Sequence, residues 1–307
     1  MNNKEIDEII ECLPKGKTPF YYHKDRYALL LLKLATEGIV TKRDISGGRF
    51  GQLLSKRVVK DVLGLCGDGK ISAEHFDALW PLRYECYFLT LGRWGSRSRT
   101  WDQTSRAGQN LVLQLNFSSE HDDPYRKLVD PEDERPFEYS GHPIARPPLH
   151  TLAWSRLDID LDSGVALIEE IQNDWVRKAL WRRRWVTGYL TDKAPSEERL
   201  KARRFLMYLE SVLKRHTAMW DEAMLSATIW FLREELGIRR IFYHTHESGS
   251  VFKSIICGKP PRSIYTVLPR KFCFIQTDER PEFLQEKRKT RAARQRVANA
   301  RFFEMSF

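Results

Sequence analysis

The segment from Leu152 to Asp174 constrains the fold most, because it has the pattern of two strands joined by a tight turn. Its two halves, "LAWSRLDIDLD" and "VALIEEIQND", are rich in apolar and β-branched residues, and Ser163-Gly164 stands between them. A glycine-containing turn between two such runs is typical of a β-hairpin. The sequence therefore predicts an antiparallel sheet in the middle of the chain.

The segments on either side of the hairpin add helices and further strands. Several short helical patterns reach to about Pro81, and they fit a helix-turn-helix variant as well as a small helical cap. "YECYFLTLG", "NLVLQLNFS", "IRRIFYHTH" and "CFIQT" have strand patterns, and a long helical stretch follows the hairpin. We therefore predict an α+β fold with a helical region over 1–81, a core over 82–285 and a basic helix or tail over 286–307. The core would hold a mixed, mainly antiparallel sheet with a long packed helix.

The charge balance of the chain favours an anionic partner. Its 307 residues include 51 Lys+Arg and 41 Asp+Glu, which give a net charge of +10 and a pI near 9.3. A basic protein of this kind attracts nucleic acid or an acidic protein surface. Nucleic acid is the partner that this balance predicts first.

Cysteine spacing and hydropathy predict a cytoplasmic protein without a membrane partner. The five cysteines are scattered and form no C-x-x-C pair, which is typical of reduced thiols. "MNNKEIDEII" carries charges where a signal peptide needs an apolar run, and "YALLLLKLA" is too short to span a bilayer.

Three common motifs are excluded by residue identity. "PKGKT" has Glu11 where a phosphate-binding loop needs its first glycine. "GDGKIS" puts His75 where a calcium-binding loop needs a bidentate glutamate. No G-x-S-x-G elbow occurs in the chain. The nucleotide-loop, calcium-loop and esterase functions lack the residues that they require.

A polar series at the end of the second hairpin strand is the first candidate site. In a regular strand, Glu170, Gln172 and Asp174 continue the face of Ala166 and Ile168. If that face is buried, the Glu170 carboxylate needs a partner or has a raised pKa, which is how a general base arises. The alternative is a solvated edge on which Asp174 caps the following helix.

The second candidate is "FYHTHES". In a strand, His244 and His246 share a face at the carboxyl end, where sheets present ligands. Such a pair could bind a metal, but zinc needs a third and a fourth ligand, and His142, Glu247, Cys257 or Cys273 would have to supply them through folding. The alternative is a pair of structural, hydrogen-bonded histidines.

The third candidate is a series of basic and aromatic residues in "RWGSRSRTW", "WVRKALWRRRWVTGY" and "KRKTRAARQR". Arginine neutralises phosphate while a tryptophan ring stacks on a base, as single-strand binding requires. The alternative is that Trp175, Trp181 and Trp185 are core residues. The predicted nucleic-acid contacts are Arg93, Arg97, Arg99, Arg182, Arg183, Arg184, Lys287, Arg288, Lys289 and Arg291.

Two segments resemble a known domain. "EEIQNDW" resembles the E-I-Q-S-D-W motif of a domain found in large polyvalent proteins of phages and mobile elements. The family's later strand would be Ile241–Glu247, and its aromatic-x-x-L-P segment is similar to "YTVLPRKF", Tyr265–Phe272. The resemblance covers roughly the C-terminal half of the chain. It implies a phage or mobile-element origin.

The order of elements is also similar to a second family. A hairpin, a long helix, a strand, an irregular helix and the strand in "YTVLPRKFCF" follow one another as in the acetyltransferase fold of the GNAT class. This resemblance implies acyl transfer, with Glu170 as general base and Tyr265 as general acid.

The combined prediction is a nucleic-acid-associated cytoplasmic protein of phage, mobile-element or anti-phage defence origin. Its polar pocket would contain Glu170, Gln172, Asp174, His244 and His246. The alternative is a GNAT-like acyltransferase that uses the same pocket, and a third role is protein assembly or inhibition without catalysis. The sequence leaves open whether the chain is an enzyme, which cofactor it uses, whether DNA or RNA is bound, and its oligomeric state.

Overall fold

The computed structural model describes residues 1–12, 18–95, 102–129, 137–191, 194–253, 261–284, 297 and 299–307. Helices and a large, mainly antiparallel sheet make up these residues, so the predicted α+β class is confirmed. Within these ranges, no helix has the length and apolar character needed to cross a bilayer.

One large sheet organises the described part of the chain. Its eight strands stand in the order β1-β4-β5-β6-β7-β8-β10-β9, and all neighbours are antiparallel except β7 and β8. These strands are β1 Thr18–Tyr22, β4 Glu85–Trp94, β5 Asn110–Phe117, β6 Thr151–Asp160, β7 Val165–Gln172, β8 Arg240–His244, β9 Ile275–Thr277 and β10 Phe302–Ser306. The two-residue strands β2 Val40–Thr41 and β3 Lys70–Ile71 pair with each other.

The helices are short or interrupted. They are α1 Asn3–Cys12, α2 Arg26–Ala35, α3 Lys42–Gly47, α4 Arg57–Leu63, α5 Ser119–Leu128, α6 Trp175–Val186, α7 Ser196–Tyr208, α8 Lys214–Thr217, α9 Trp220–Trp230, α10 His246–Phe252 and α11 Val267–Lys271. The long helix predicted after the hairpin is a bent series from α6 to α9. A 3₁₀ turn at Thr187–Leu190 ends α6, Pro195 precedes α7, and π-helical turns at Leu209–Leu213 and Phe231–Glu235 follow α7 and α9.

The predicted hairpin is confirmed as β6 and β7. Its turn occupies residues 161–164, and Gly164 has a φ of 66°, a backbone conformation that side chains disfavour. Every residue of β5 is buried, as are all but the last of β6 and of β7. These strands lie in the centre of the sheet with both faces covered.

The predicted helical region over 1–81 is incomplete, because Thr18–Tyr22 is a strand at the edge of the main sheet. It pairs with β4, and its side chains alternate between exposed and buried. Pro19 is unsuited to a helix interior, while Phe20 and Tyr22 bury their rings in the core. The amino-terminal region therefore contributes one edge strand to the main sheet.

The prediction of a helix or tail over 286–307 is wrong for its last residues. Phe302–Ser306 forms β10, which inserts between β8 and β9 and pairs with both. Phe302, Phe303 and Met305 are buried, so this short apolar run serves as an interior strand. Residues 285–296, which contain the predicted basic contacts of the tail, lie outside the described residues.

Candidate functional site

A β-bulge at Glu169 determines how the polar end of β7 is presented. Arg156 of β6 pairs with Glu170, but the next residue, Leu157, pairs with Ile168, so Glu169 has no partner in this register. Pairing with the parallel strand β8 also stops at Ile168. An extra residue of this kind bends a strand and redirects its side chains.

The bulge reverses the predicted alternation of β7. Before it, Ala166 and Ile168 lie in the larger hydrophobic core, but after it the core residue is the odd-numbered Ile171. Glu170 and Gln172 therefore point to the opposite face of the sheet, and the predicted continuation of the Ala166 face is wrong. A regular period of two holds only while the pairing register is unbroken.

Glu170 is nevertheless buried, with a relative exposure of 9%, so the alternative of a solvated edge is also wrong. Its carboxylate lies 2.5 Å from the buried guanidinium of Arg156. Arg156 also donates to the carbonyl oxygens of Asp102 at 2.7 Å and Gln103 at 3.2 Å. Burial alone would raise the pKa of Glu170, but the charges of Arg156 and Lys253 and the hydrogen bond from Arg156 together outweigh it and lower the pKa. Glu170 therefore has a partner and no raised pKa.

Glu169, which the sequence did not single out, is fully buried beside it. Its carboxylate accepts hydrogen bonds from the Ser105 backbone N–H at 2.9 Å and the Ser105 hydroxyl at 2.8 Å, and His244 Nε2 lies at 3.3 Å. The Lys253 ammonium donates to the Glu169 carbonyl oxygen at 2.8 Å. Burial opposes ionisation, yet the bond to His244 and the charges of Lys253 and Arg156 lower the pKa of Glu169 to about 2. The bulge is thus held by satisfied polar contacts.

His244 and His246 do not share a strand face. The strand ends at His244, Thr245 caps α10, and half-buried His246 is the first residue of that helix. His244 is fully buried, with Nδ1 2.9 Å from the Ser248 hydroxyl and Nε2 2.8 Å from the Ser105 hydroxyl. Burial lowers the pKa of His244. His244 is therefore neutral and hydrogen-bonded at neutral pH. This agrees with the alternative in which the histidine has a structural role.

The described residues contain no group of three or more His, Cys, Asp and Glu side chains that could hold a metal ion. Of the side chains considered as further ligands, His142 pairs with Asp174 and Cys273 is buried. Cys257 lies outside the described residues. The geometry offers no support for a metal centre at His244.

Asp174 stands at the N-cap position of α6, but its side chain makes no capping hydrogen bond. Its carboxylate lies 2.6 Å from His142 Nδ1 and forms an ion pair with Arg177. The capping contact comes from Asn173, whose side-chain oxygen accepts from the Val176 N–H at 2.7 Å. Asn173 and Asp174, which follow the half-buried Gln172, thus each have a defined contact at the junction between β7 and α6.

Tyr265 lies in the 3₁₀ turn Arg262–Tyr265, and its buried hydroxyl has no hydrogen-bond partner among the described residues. Its ring stacks on Tyr243 at 5.7 Å, and the Lys253 ammonium is 5.8 Å from the ring centre. Burial, and then the negative charge of Glu170, raise the pKa of Tyr265. The structure therefore brings Tyr265 into the surroundings of Glu170 and Lys253.

This buried charge network predicts that the fold is sensitive to acid. Burial lowers the pKa of His121, His216 and His244, so the unfolded chain binds protons that the folded chain does not, and stability falls below about pH 6.5. The lowered pKa of Glu169 adds stability above about pH 4.5 that is lost as the pH falls towards 2. Urea unfolding from pH 8 to pH 2 measures both losses.

Burial raises the pKa of the Glu85 and Asp158 carboxyls. At low pH, these two groups therefore increase the free energy of unfolding, whereas the histidines and Glu169 decrease it. A histidine variant provides the matched control. Replacing His244 with glutamine keeps a polar side chain and removes one titrating group, so the loss between pH 7 and pH 5 becomes smaller. A free energy of unfolding that stayed constant from pH 8 to pH 5 would contradict the prediction.

The three tryptophans of α6 divide between core and surface. Trp175 is fully buried, whereas Trp181 is 59% exposed and Trp185 is 63% exposed. Helical spacing places Arg177 and Arg184 on the same outward side as these two rings. The alternative, that all three are core residues, is right for Trp175 and wrong for the other two.

The predicted nucleic-acid contacts are only partly brought together. Arg182, Arg183 and Arg184 lie next to the exposed rings on α6, and Arg183 is 3.6 Å from Glu210. Arg93 lies on β4 and forms an ion pair with Asp7 of α1. Arg97, Arg99, Lys287, Arg288, Lys289 and Arg291 lie outside the described residues.

Comparison of the chain with protein-family models, with curated proteins and with solved structures finds no match. Two sites therefore remain as candidates for the function of the protein. The first is the buried cluster of Arg156, Glu169, Glu170, Lys253 and Tyr265, and the second is the outward face of α6.

Proposed function

We propose that the protein associates with nucleic acid through the outward face of α6. The exposed pair Trp181 and Trp185 carries this proposal. Large aromatic side chains that are more than half exposed have no role in the packing of the core, and their ring centres lie only 5.9 Å apart. The ring planes are inclined by 59° to each other, so each ring offers its own face on which an unpaired base can stack.

The charge around these rings supports the same function. The twelve residues of α6, "WVRKALWRRRWV", contain five basic side chains and no acidic one. Arginine neutralises phosphate while the rings hold bases, so an unpaired strand can use both along one helix. A cytoplasmic protein of phage, mobile-element or anti-phage defence origin remains our proposal for its setting, on the resemblance of "EEIQNDW".

Binding of unpaired DNA and RNA oligonucleotides tests this function. If about six cations meet phosphates, affinity should fall on the order of a thousandfold between 50 and 200 mM salt. Stacking should also quench the tryptophan fluorescence. The control polymer is poly-glutamate, which has negative charge without bases and should bind without quenching. If poly-glutamate quenched as nucleic acid does, the partner would be an acidic protein and the proposal would be wrong.

Acyl transfer is a second candidate, favoured by the surroundings of Glu170 and Tyr265. The order of hairpin, helices, parallel strand, irregular helix and strand on which the GNAT resemblance rests is present from β6 to β9. Glu170 lies beyond the point where β7 and β8 cease to pair, and Tyr265 stacks on Tyr243, the last paired residue of β8. Sheets often bind ligands at the carboxyl ends of parallel strands. The lowered pKa of Glu170 makes it a weak base, which places this function second.

Coenzyme A tests the second candidate. A ligand of the folded state should raise the melting temperature of the protein. Tyr265→Phe should keep stability, because it removes a hydroxyl without a partner, and should abolish acyl transfer without preventing binding. Tyr243→Phe is the matched control, since that hydroxyl donates to the Ile264 carbonyl at 3.0 Å and its loss should cost about 1 kcal/mol of stability. No shift with coenzyme A would remove this candidate.

A further inference from the structure

A basic pocket lies beside the outward face of α6. It is formed where α5, α6 and α7 meet, and it has a volume of about 90 Å³. The cations that line it are Lys127, Arg182, Lys201 and Arg204, and its apolar lining is Leu128, Val129 and Phe205. Among the described residues, no acidic side chain lines it. Four cations around one cavity favour an anionic ligand.

The cations are held in place in different ways. The Arg182 guanidinium lies 5.0 Å from the centre of the Phe205 ring, which orients it. Lys201 lies 3.1 Å from Glu197, one turn earlier on α7. Lys127 is in the last turn of α5, where the helix dipole favours a cation. Arg204 is exposed. The pocket thus combines a guanidinium packed on an aromatic ring with three cations on exposed residues.

The charge and size of the cavity point to a phosphate group. A water molecule in the liquid takes about 30 Å³, so the cavity has room for a tetrahedral anion with part of its attached group. A phosphate monoester carries about −1.5 to −2 charge at neutral pH and three acceptor oxygens. A phosphate diester carries one negative charge, and the nucleic-acid chain continues on both sides of it. Four cations in one lining, of which Lys201 is already paired with Glu197, match the monoester better.

We propose that this pocket binds a terminal phosphate monoester. In the proposed function, this monoester is the phosphorylated end of the strand that stacks on α6. The inference rests on that function, because Arg182 in the pocket is adjacent in sequence to Trp181 on the outward face. A strand whose end is held here can continue directly towards the exposed rings. The pocket would then favour strand ends over internal sequence.

Oligonucleotides of one sequence with a 5′-phosphate, a 3′-phosphate or hydroxyl ends test the proposal. The unmodified protein should bind one phosphorylated form about tenfold more tightly than the hydroxyl form, as charge-assisted hydrogen bonds at one group allow. Arg204→Gln should abolish this preference. Arg203→Gln removes the same charge from a neighbouring exposed residue outside the pocket lining, and it should retain the preference.

The outcomes separate the pocket from the proposed function. If hydroxyl and phosphorylated oligonucleotides bind equally, the pocket proposal is overturned and nucleic-acid association stands. If no oligonucleotide binds, nucleic-acid association fails, and inorganic phosphate then decides the pocket. If inorganic phosphate raises the melting temperature of the unmodified protein and of Arg203→Gln but not of Arg204→Gln, a free phosphate is supported as the ligand. If phosphate changes the melting temperature of none of the three proteins, the pocket proposal is overturned.

Discussion

Replacing Arg156 with methionine is expected to lower the free energy of unfolding by about 3–5 kcal/mol, because it leaves the Glu170 carboxylate buried without its partner. The carbonyl oxygens of Asp102 and Gln103 also lose donors. Without the guanidinium, burial should raise the pKa of Glu170. Such a raised pKa destabilises the fold as the pH increases, so Arg156→Met should lose less stability at pH 5 than at pH 8. Urea unfolding at the two pH values measures both effects.

The double variant Arg156→Met with Glu170→Met tests the cause of this loss. It removes both charges and should recover much of the stability, since a buried pair exchanged for apolar residues is often neutral. Arg183→Met is the matched control, because Arg183 and its partner Glu210 are both about half exposed, and it should cost at most about 1 kcal/mol. A cost below about 1 kcal/mol for Arg156→Met would contradict a stabilising role for the buried pair.

Replacing both Trp181 and Trp185 with alanine is expected to weaken nucleic-acid binding about thirtyfold or more. Stacking of one base on an aromatic ring contributes about 1–3 kcal/mol by alanine substitution, and two rings are removed. All basic side chains of α6 remain, so the dependence of affinity on salt should change little. Fluorescence anisotropy of a labelled oligonucleotide at constant salt gives the ratio of affinities.

Trp80→Ala supplies the control for the two α6 tryptophans. Trp80 is 43% exposed in the amino-terminal region, where it contacts Arg26, so it resembles them in exposure without belonging to α6. This variant should bind nucleic acid as the unmodified protein does. If Trp181 and Trp185 could be removed without loss of affinity while the salt dependence persisted, binding would be purely electrostatic and the stacking surface would be wrong.

The division of the α6 tryptophans could have been predicted. At 100° per residue, Trp175 and Ala179 lie on one side of the helix, and the centre of Trp181 and Trp185 lies about 120° away. A helix packed on a sheet buries one such side, so one pair is expected to face outward. The identity of the buried side follows from Ala179, the small residue that lets α6 approach its neighbours.

The Glu169 bulge could not have been predicted from the strand pattern. A residue inserted in a strand leaves the apolar alternation before and after it intact, and only the pairing with β6 reveals the shift. The same holds for Arg156 and Lys253, which are far from Glu169 and Glu170 in sequence and become partners only through the register of β6 and the position of α10. No spacing in the sequence indicates these contacts.

Local chemistry therefore established many elements of this protein: the hairpin, the strands β4, β5, β8 and β9, most helices, and a basic, aromatic helix. Those features depend on period, turn residues and charge within a few positions of each other. The direction of Glu170, the neutral state of His244, the insertion of β10 and the basic pocket at α5, α6 and α7 depend on residues distant in the chain. Burial and charge pairing between such residues depend on the pairing register of the strands and on the packing of the helices.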